Sequence, residues 1–244
     1  MIFLTVKWEN ISGGGRNMAD SYKILYQGGE SETVVKKSRF IATLKPVESE
    51  EEAAAFLSQM RKKYWDASHN CFAFTIGRNH ELTRCSDDGE PAQTAGRPML
   101  EVLLGEDVHN VCAVVTRYFG GTLLGTGGLV RAYSGAVKEG LLASAVVEKK
   151  RAFRMEVGTD YAGVGKIQYI LGQQGITVLD SSYTDRVDFS LLVPAAECEG
   201  LKEAITEGTN GGAKIQIGDE VWFGVYNKEV ILFPSVLTGK NNSH

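Results

Sequence analysis

Cysteine is scarce in this sequence, with four residues among 244. No two of them form a C-x-x-C pair, so their spacing does not support a zinc-binding motif. Cys71 and Cys112 fall in apolar segments that we predict to be buried strands, whereas Cys85 lies in a polar loop and is expected to be the most exposed thiol. Reduced cysteines fit a cytoplasmic protein, which is the localisation we expect.

Long apolar runs and an excess of basic residues are also missing. No apolar stretch is long enough to cross a bilayer, so no membrane partner is predicted. The 26 Lys and Arg residues are outnumbered by 30 Asp and Glu residues, which gives a formal net charge of −4. A general, charge-driven affinity for nucleic acid is therefore not supported, although a local basic face is compatible with this balance.

A strand, a glycine loop and a helix stand out between residues 111 and 142. The apolar run Val111–Val115 predicts a strand covered on both faces. Residues 120–128, with the sequence GGTLLGTGG, then interrupt regular structure and permit tight turns. Apolar residues at steps of four predict the buried face of a helix after the loop: Leu129, Tyr133, Val137 and Leu141.

The glycine loop has a chemical consequence. The first N–H groups of a helix lack intrahelical partners, and a loop without side chains lets a phosphate or carboxylate approach them. Arg117, late in the strand, and Arg131, near the helix start, are placed to add charge-assisted contacts. The alternative is that the glycines only form a tight corner. If Arg117 is buried, it needs an external anion or an internal carboxylate, for which Asp87 and Asp88 are the candidates.

An acidic loop precedes this region, with the sequence SDDGEP at residues 86–91. A plain turn uses Asp and Gly in this way without further function. The functional alternative is a loop in which Asp87, Asp88 and Glu90 hold magnesium or a polar ligand. His69 has no partner at metal-ligand spacing and is predicted to be a hydrogen-bonded structural residue.

The remaining patterns predict an α+β protein with two units. Tyr22–Tyr26 and Ser31–Val35 are predicted to form a hairpin around two glycines. Ser49 is predicted to cap a helix with acidic residues in its first turn. The charged segment Val146–Arg151 is predicted to be a linker. The order strand, helix, strand, strand, helix, strand follows between residues 152 and 217, which is the ferredoxin-like order.

The two ends of the chain are set apart from these units. Residues 219–244 are weakly patterned and are predicted to be a peripheral tail. At the other end, GGGR at residues 13–16 is what an in-frame, purine-rich ribosome-binding site would encode. We therefore predict Met18 as the translation start, with residues 1–17 as translated leader. A disordered, glycine-rich tail fits the same residues.

Several stretches resemble the signatures of the IMPACT/YigZ family. They are SDDGEPAQTAGRPML at residues 86–100, VVTRYFGG at 114–121 and LGTGGLVRAY at 124–133, together with KSRFI at 37–41 and the pair His69-Asn70. The resemblance to the IMPACT N-terminal domain covers about residues 22–145, after an extension over residues 1–21. Residues 152–218 resemble the DUF1949 domain that follows in bacterial members.

The resemblance implies a fold for each domain. The first should be similar to domain 2 of ribosomal protein S5, and the second to the ferredoxin-like domains of translation elongation factor G. Taken together, the motifs and the chemistry above give a set of candidate anion- or ligand-binding residues: His69, Asp87, Asp88, Glu90, Arg117, Tyr118, Gly125, Thr126, Gly127, Gly128 and Arg131.

Three functional hypotheses follow. The first is a cytoplasmic binding protein that acts in translation or its regulation through RNA, the ribosome or a translation factor. Eukaryotic relatives regulate translation by binding the activator of a stress-responsive kinase, in part through a region outside the resemblance, so that partner is not carried over. The second is an enzyme on a phosphorylated small molecule, with phosphate on the glycine loop and magnesium on the acidic loop. The third is that both signatures only maintain the fold.

The second hypothesis alone implies a cofactor, magnesium, and no cofactor is predicted otherwise. No Ser–His–Asp or Cys–His arrangement follows from the spacing, so no nucleophile is predicted. The observation that separates the hypotheses is whether the acidic and glycine loops meet in one cleft with Arg117. If they do, a small-ligand site is favoured, and if they lie apart, the enzyme hypothesis loses its geometry.

Overall fold

The computed structural model describes residues 20–234, and the predicted start at Met18 lies outside them. The elements of the first half are β1 Ser21–Gln27, β2 Glu30–Val35, β3 Ser38–Pro46, α1 Glu50–Lys63, β4 His69–Ile76, β5 Leu82–Ser86, α2 Gly96–Gly105, β6 Val108–His109, β7 Val111–Tyr118 and α3 Thr126–Leu142. Those of the second half are β8 Ala145–Thr159, α4 Tyr161–Gln174, β9 Thr177–Tyr183, β10 Val187–Pro194, α5 Cys198–Gly208, β11 Lys214–Tyr226 and β12 Glu229–Phe233.

The first sheet has the antiparallel order β2–β3–β7–β4–β5, with β7 at its centre. The apolar run of β7 is covered on both faces, as predicted. Val111, Ala113 and Val115 belong to the core that the sheet forms with α2 and α3. Cys112 and Val114 belong to the core on the other face, beneath α1. Because β7 lies at the centre of the sheet, its position determines where the polar residues at its C-terminal end lie.

Two predicted helix starts can be compared with the structure. The side chain of Ser49 accepts the Glu52 N–H at 3.1 Å at the start of α1, as predicted. Helix α3 begins earlier than predicted, because Gly125 takes a φ of 72° and its carbonyl accepts the Leu129 N–H at 3.0 Å. Gly127 therefore lies inside the first turn rather than before the helix. The predicted buried stripe of α3 is present, with Tyr133 fully buried.

The second unit has the strand order β9–β10–β8–β11, which is the ferredoxin-like order predicted from the sequence. Helices α4 and α5 cover one face of these strands. Their core joins Met155 and Val157 of β8 to Ile167 of α4 and Leu201 of α5. The α+β class is confirmed. Within residues 20–234, no helix is long and apolar enough to span a membrane.

The predicted hairpin at the N-terminus is wrong. Strand β1 pairs with β8 and β6, whereas β2 pairs with β3 in the other sheet. The chain crosses between the sheets at Gly28 and Gly29. A Cβ at Gly28 would meet the backbone of Leu44, and one at Gly29 would meet the backbone of Ala143. The two glycines are therefore required by a close crossing of backbones rather than by a hairpin turn.

The predicted linker and part of the predicted tail are also regular structure. Residues 146–151 lie within β8, a strand that pairs with β1 along one stretch and with β10 and β11 along others. The charged run is compatible with a strand because Val147 and Lys149 face inward while their neighbours are less buried. Residues 219–226 complete β11 and residues 229–233 form β12. Residues 235–244 of the predicted tail lie outside the described residues.

Candidate binding cleft

The acidic loop and the start of α3 line one cleft, and Arg117 lies between them. The cavity has a volume of about 520 Å³, and its walls include His69, Glu90, Phe119, Leu123 and Thr126. The two loops thus meet in one cleft with Arg117, which is the arrangement expected of a small-ligand site. A second groove, of about 370 Å³ between α3 and the strands β1 and β8, contains none of the predicted site residues.

Arg117 forms the floor of the cleft and is 5% exposed. Its Nη1 donates to Glu90 Oε1 at 2.6 Å and its Nη2 to Ser38 Oγ at 3.3 Å. Its guanidinium carbon lies 5.4 Å from the ring centroid of Phe40 and 5.5 Å from that of Phe119. The pairing is therefore internal. The partner is Glu90, so the proposed pairing with Asp87 or Asp88 is wrong.

The Glu90 carboxylate holds this floor together. Besides Arg117, its Oε1 accepts the Tyr133 hydroxyl at 2.7 Å, which links the acidic loop to the buried face of α3. Burial raises the pKa of the Tyr133 phenol, so that it stays protonated and acts as a donor. Because Arg117 and Glu90 neutralise each other, the floor offers hydrogen-bonding atoms but no net charge to attract a phosphate.

The other two carboxylates of the acidic loop are engaged in holding its shape. Asp87 accepts three backbone N–H groups, from Gln93 at 2.8 Å, Ala95 at 2.9 Å and Gly96 at 2.8 Å, and so caps the start of α2 from outside the helix. Asp88 accepts the backbone N–H of Asn70 at 2.7 Å and a guanidinium N–H of Arg61 at 3.2 Å. The three acidic side chains do not converge on free oxygens that would suit magnesium.

His69 reaches the cleft with one ring nitrogen free. Its Nδ1 lies 2.8 Å from the carbonyl oxygen of Asp88, and because a carbonyl only accepts, Nδ1 carries the proton. Its Nε2 lies 3.9 Å from Glu90 Oε1, too far for a hydrogen bond. The nearby Cys71 is not a nucleophile, because burial raises the pKa of its thiol. His69 thus offers an acceptor to a ligand in the cleft.

The glycine side of the cleft is open. A Cβ built on Gly121 or Gly125 would meet nothing within 4 Å, although both have positive φ, 79° and 72°. No side chain caps the start of α3. Its first N–H groups therefore remain available at the cleft wall where Thr126 lies.

The structure divides the predicted site residues into two groups. The cleft is lined by five of them: His69, Glu90, Arg117, Gly125 and Thr126. The others do not line it: Asp87, Asp88, Tyr118, Gly127, Gly128 and Arg131. Tyr118 instead donates its hydroxyl to Asp66 Oδ1 at 2.9 Å.

Sequence reasoning missed the apolar wall of the cleft. Phe119 is 49% exposed and lies in the motif VVTRYFGG, and Leu123 is 81% exposed and lies in the glycine loop. Large apolar residues in or directly before a glycine-rich, exposed loop were the signal that could have found them.

Comparisons with known proteins agree with the motifs. The Impact N-terminal domain matches residues 36–141, and a domain of unknown function, DUF1949, matches residues 157–211. The IMPACT family member YvyE of Bacillus subtilis (strain 168) is 44% identical over 202 residues, which cover 83% of this chain and 93% of YvyE. The chain belongs to the IMPACT family.

Other members extend the similarity. The IMPACT family member YigZ of Escherichia coli (strain K12) is 37% identical over 183 residues, covering 74% of this chain and 90% of YigZ. Protein IMPACT of Danio rerio is 40% identical over 106 residues, covering 41% of this chain and 32% of that protein. A solved structure described as a hypothetical protein is 34% identical with a TM-score of 0.52, covering 82% of this chain and 98% of that one.

Proposed function

We propose that this IMPACT family protein is a cytoplasmic binding protein that acts in translation by holding single-stranded RNA, free or as part of the ribosome, at the cleft. The link to translation comes from the family resemblance. The choice of RNA rests on one observation, the combination of an exposed apolar wall, an uncharged polar floor and basic side chains without ion pairs beside the same cleft.

The apolar wall supports stacking of a base. Phe119 presents about half of its surface to solvent, and Leu123 most of its own. Single-stranded RNA exposes the faces and edges of its bases, which bind to aromatic and apolar side chains irrespective of sequence. A cavity whose lining is largely apolar, with an exposed apolar pair at its mouth, fits such a base better than it fits a phosphate.

The basic side chains provide contacts for the RNA backbone. The backbone of Lys37 is in close contact with Gly120, next to the apolar wall. The guanidinium of Arg131 lies over the first turn of α3, 3.6 Å from a Cβ built on Gly127. Within residues 20–234, the exposed side chains of Lys36, Lys37 and Arg131 have no ion pair. Cations that are not paired internally are free to neutralise phosphates, despite the acidic balance of the whole chain.

The walls of the cleft offer hydrogen-bonding groups that can bind the edge of a base. His69 Nε2 accepts, while the first N–H groups of α3 donate from the opposite wall. A base that enters the cleft would therefore meet both kinds of hydrogen-bonding group beside an apolar surface. This part of the proposal predicts a preference for unpaired over duplex RNA, because only an unpaired base can leave its stack.

Fluorescence anisotropy with labelled single-stranded and duplex RNA of equal length tests the proposal, together with co-sedimentation with ribosomes. Phe119→Ala should weaken single-strand binding roughly 5- to 100-fold, the usual effect of losing one base–aromatic stack. Lys37→Glu should weaken it and reduce its salt dependence, since fewer phosphates are contacted. Arg117 is not a suitable probe, because its loss would destabilise the floor.

Lys166→Glu is the matched control. Lys166 is an exposed cation in α4, on the other unit, and its reversal makes the same change in net charge. It should leave binding unchanged at fixed salt. Failure of the wild type to bind RNA and ribosomes, or equal losses for Lys37→Glu and Lys166→Glu, would contradict the proposal.

A further inference from the structure

A second cluster of functional side chains lies away from the cleft. It joins His80, in the turn between β4 and β5, to Asp107, just before the short strand β6, and to His109, at the end of that strand. His80 Nε2 is 3.3 Å and His109 Nε2 is 3.2 Å from the same oxygen, Asp107 Oδ1. The two imidazole rings stack with centroids 3.8 Å apart. Neither the cleft nor the family signatures include these residues.

The hydrogen bonds of His109 indicate that this cluster needs a cation. His109 Nδ1 lies 3.0 Å from the carbonyl oxygen of Gly77, so Nδ1 carries the proton. In a neutral ring, Nε2 then has only a lone pair, and that lone pair faces a carboxylate oxygen. Two acceptors at 3.2 Å repel each other unless a proton or a metal ion lies between them. The contact therefore requires a cation.

Two of the three separations between the ligand atoms suit a metal ion, and all three lie within 4.8 Å. Zinc binds His nitrogen and Asp oxygen at about 2.0–2.1 Å, so neighbouring ligand atoms of a tetrahedral site lie about 3.3 Å apart. Both separations to Asp107 Oδ1, 3.2 and 3.3 Å, are close to that value. Each ring also has an outer partner on Nδ1, Thr75 Oγ1 at 2.6 Å for His80 and the Gly77 carbonyl for His109. Such partners orient the imidazoles that ligate metals.

We infer that His80, Asp107 and His109 bind one zinc ion, with a water as the fourth ligand. Two neutral imidazoles and one carboxylate form a donor set of the type that zinc prefers, and three protein ligands leave one position open. Because the rings stack, their Nε2 lone pairs run nearly side by side, and binding requires one ring to tilt. The His80 side chain is 18% exposed against 4% for His109, so His80 is the ring with room to move.

The ion would lie where the two sheets meet. His80 follows β4 of the first sheet, whereas His109 belongs to β6, which pairs with β1 of the second. A Gly77 N–H bond to Asn110 Oδ1, at 2.9 Å, already ties the same turn to this junction. Zinc should therefore stabilise the folded chain against thermal unfolding, by an amount that grows with zinc concentration.

Isothermal titration of the full-length chain with zinc, after treatment with a chelator and without a histidine tag, tests the inference. The wild type should bind one ion per chain, and its melting temperature should rise with added zinc. Asp107→Asn and His80→Asn should each weaken zinc binding by roughly 10- to 100-fold or more. Losing only an outer-sphere partner already has an effect of about that size, and these two residues are direct ligands. Asp107 is largely exposed, so its substitution should leave the fold intact. Cobalt in place of zinc should give the visible absorption of a four-coordinate site, and His80→Asn should remove it.

Glu106→Gln is the control, since Glu106 is an exposed neighbour of Asp107 outside the cluster and its loss changes net charge equally. It should bind zinc as the wild type does. Absence of saturable binding would overturn the inference, and so would binding that Asp107→Asn and His80→Asn leave unchanged. If a proton rather than a metal ion lies between His109 and Asp107, the wild type should show no zinc binding and no zinc-dependent rise in melting temperature, which also overturns it.

Discussion

The acidic loop and the glycine loop belong to the same cleft, but they use their backbone and side-chain groups in opposite ways. In the acidic loop, Asp87 and Asp88 are engaged by N–H donors, and Glu90 is paired with Arg117. In the glycine loop, Gly125 is surrounded by open space and the helix that follows has no side-chain cap. The polar groups of one loop are satisfied internally, whereas the other leaves backbone donors without a side-chain partner. Two equally specific motifs in one cleft can therefore differ in whether their polar groups are already engaged.

The largest effect should come from breaking the ion pair between Arg117 and Glu90 in the floor of the cleft. Glu90→Ala leaves the guanidinium of Arg117 buried without its partner and should lower the free energy of unfolding by about 3–5 kcal/mol. Urea denaturation followed by circular dichroism measures it. The double variant Glu90→Gln, Arg117→Met should lose less than the two single variants added together, because no charge stays buried. Additive losses would show that Arg117 and Glu90 do not stabilise the fold as a pair.

An intermediate effect is expected at the cap of α2. Asp87→Ala removes the acceptor of three backbone N–H groups and should destabilise the fold by about 2 kcal/mol. Asp87→Asn keeps one side-chain oxygen and should lose less, which makes it the matched control. Equal stability of wild type and Asp87→Ala in the same denaturation experiment would place the carboxylate in a binding role instead.

The smallest effects should come from the glycine loop, and they should differ in sign. Gly125→Ala puts a side chain at φ 72° and ψ 167°, a region populated almost only by glycine, and should lower stability by about 1–2 kcal/mol. Gly127→Ala lies in the first turn of α3 with only an ordinary contact to Arg131, and should raise stability by about 0.5 kcal/mol. Thermal unfolding of both variants decides between them. A loss at both positions would mean that the loop is as tightly constrained as the acidic one.

The sequence predicted those parts of the structure that depend on local periodicity. The spacing of apolar residues along the sequence predicted three features: the central strand β7, the buried stripe of α3 and the order of elements in the second unit. The partner of Arg117 did not follow, because Asp88 and Gly89 take positive φ, 43° and 87°, and so turn Glu90 rather than its neighbours toward the cleft.

Two further features depend on chain crossings that spacing does not encode. Gly28 and Gly29 have the composition of a hairpin turn, yet they serve a passage between sheets. His80 and His109 are brought together only by the approach of a turn in one sheet to a strand of the other. Contacts of this kind join residues that no short motif contains, so only the tertiary structure reveals them.

Strand β8 limits how the two halves of this chain can be separated. Its first residues complete the sheet around β1, and its last residues form the centre of the ferredoxin-like unit. The matched family segments, 36–141 and 157–211, both stop short of its middle. A single continuous strand therefore spans the boundary between the two matched domains. Neither half can be transferred as an independent domain unless it carries its own copy of β8.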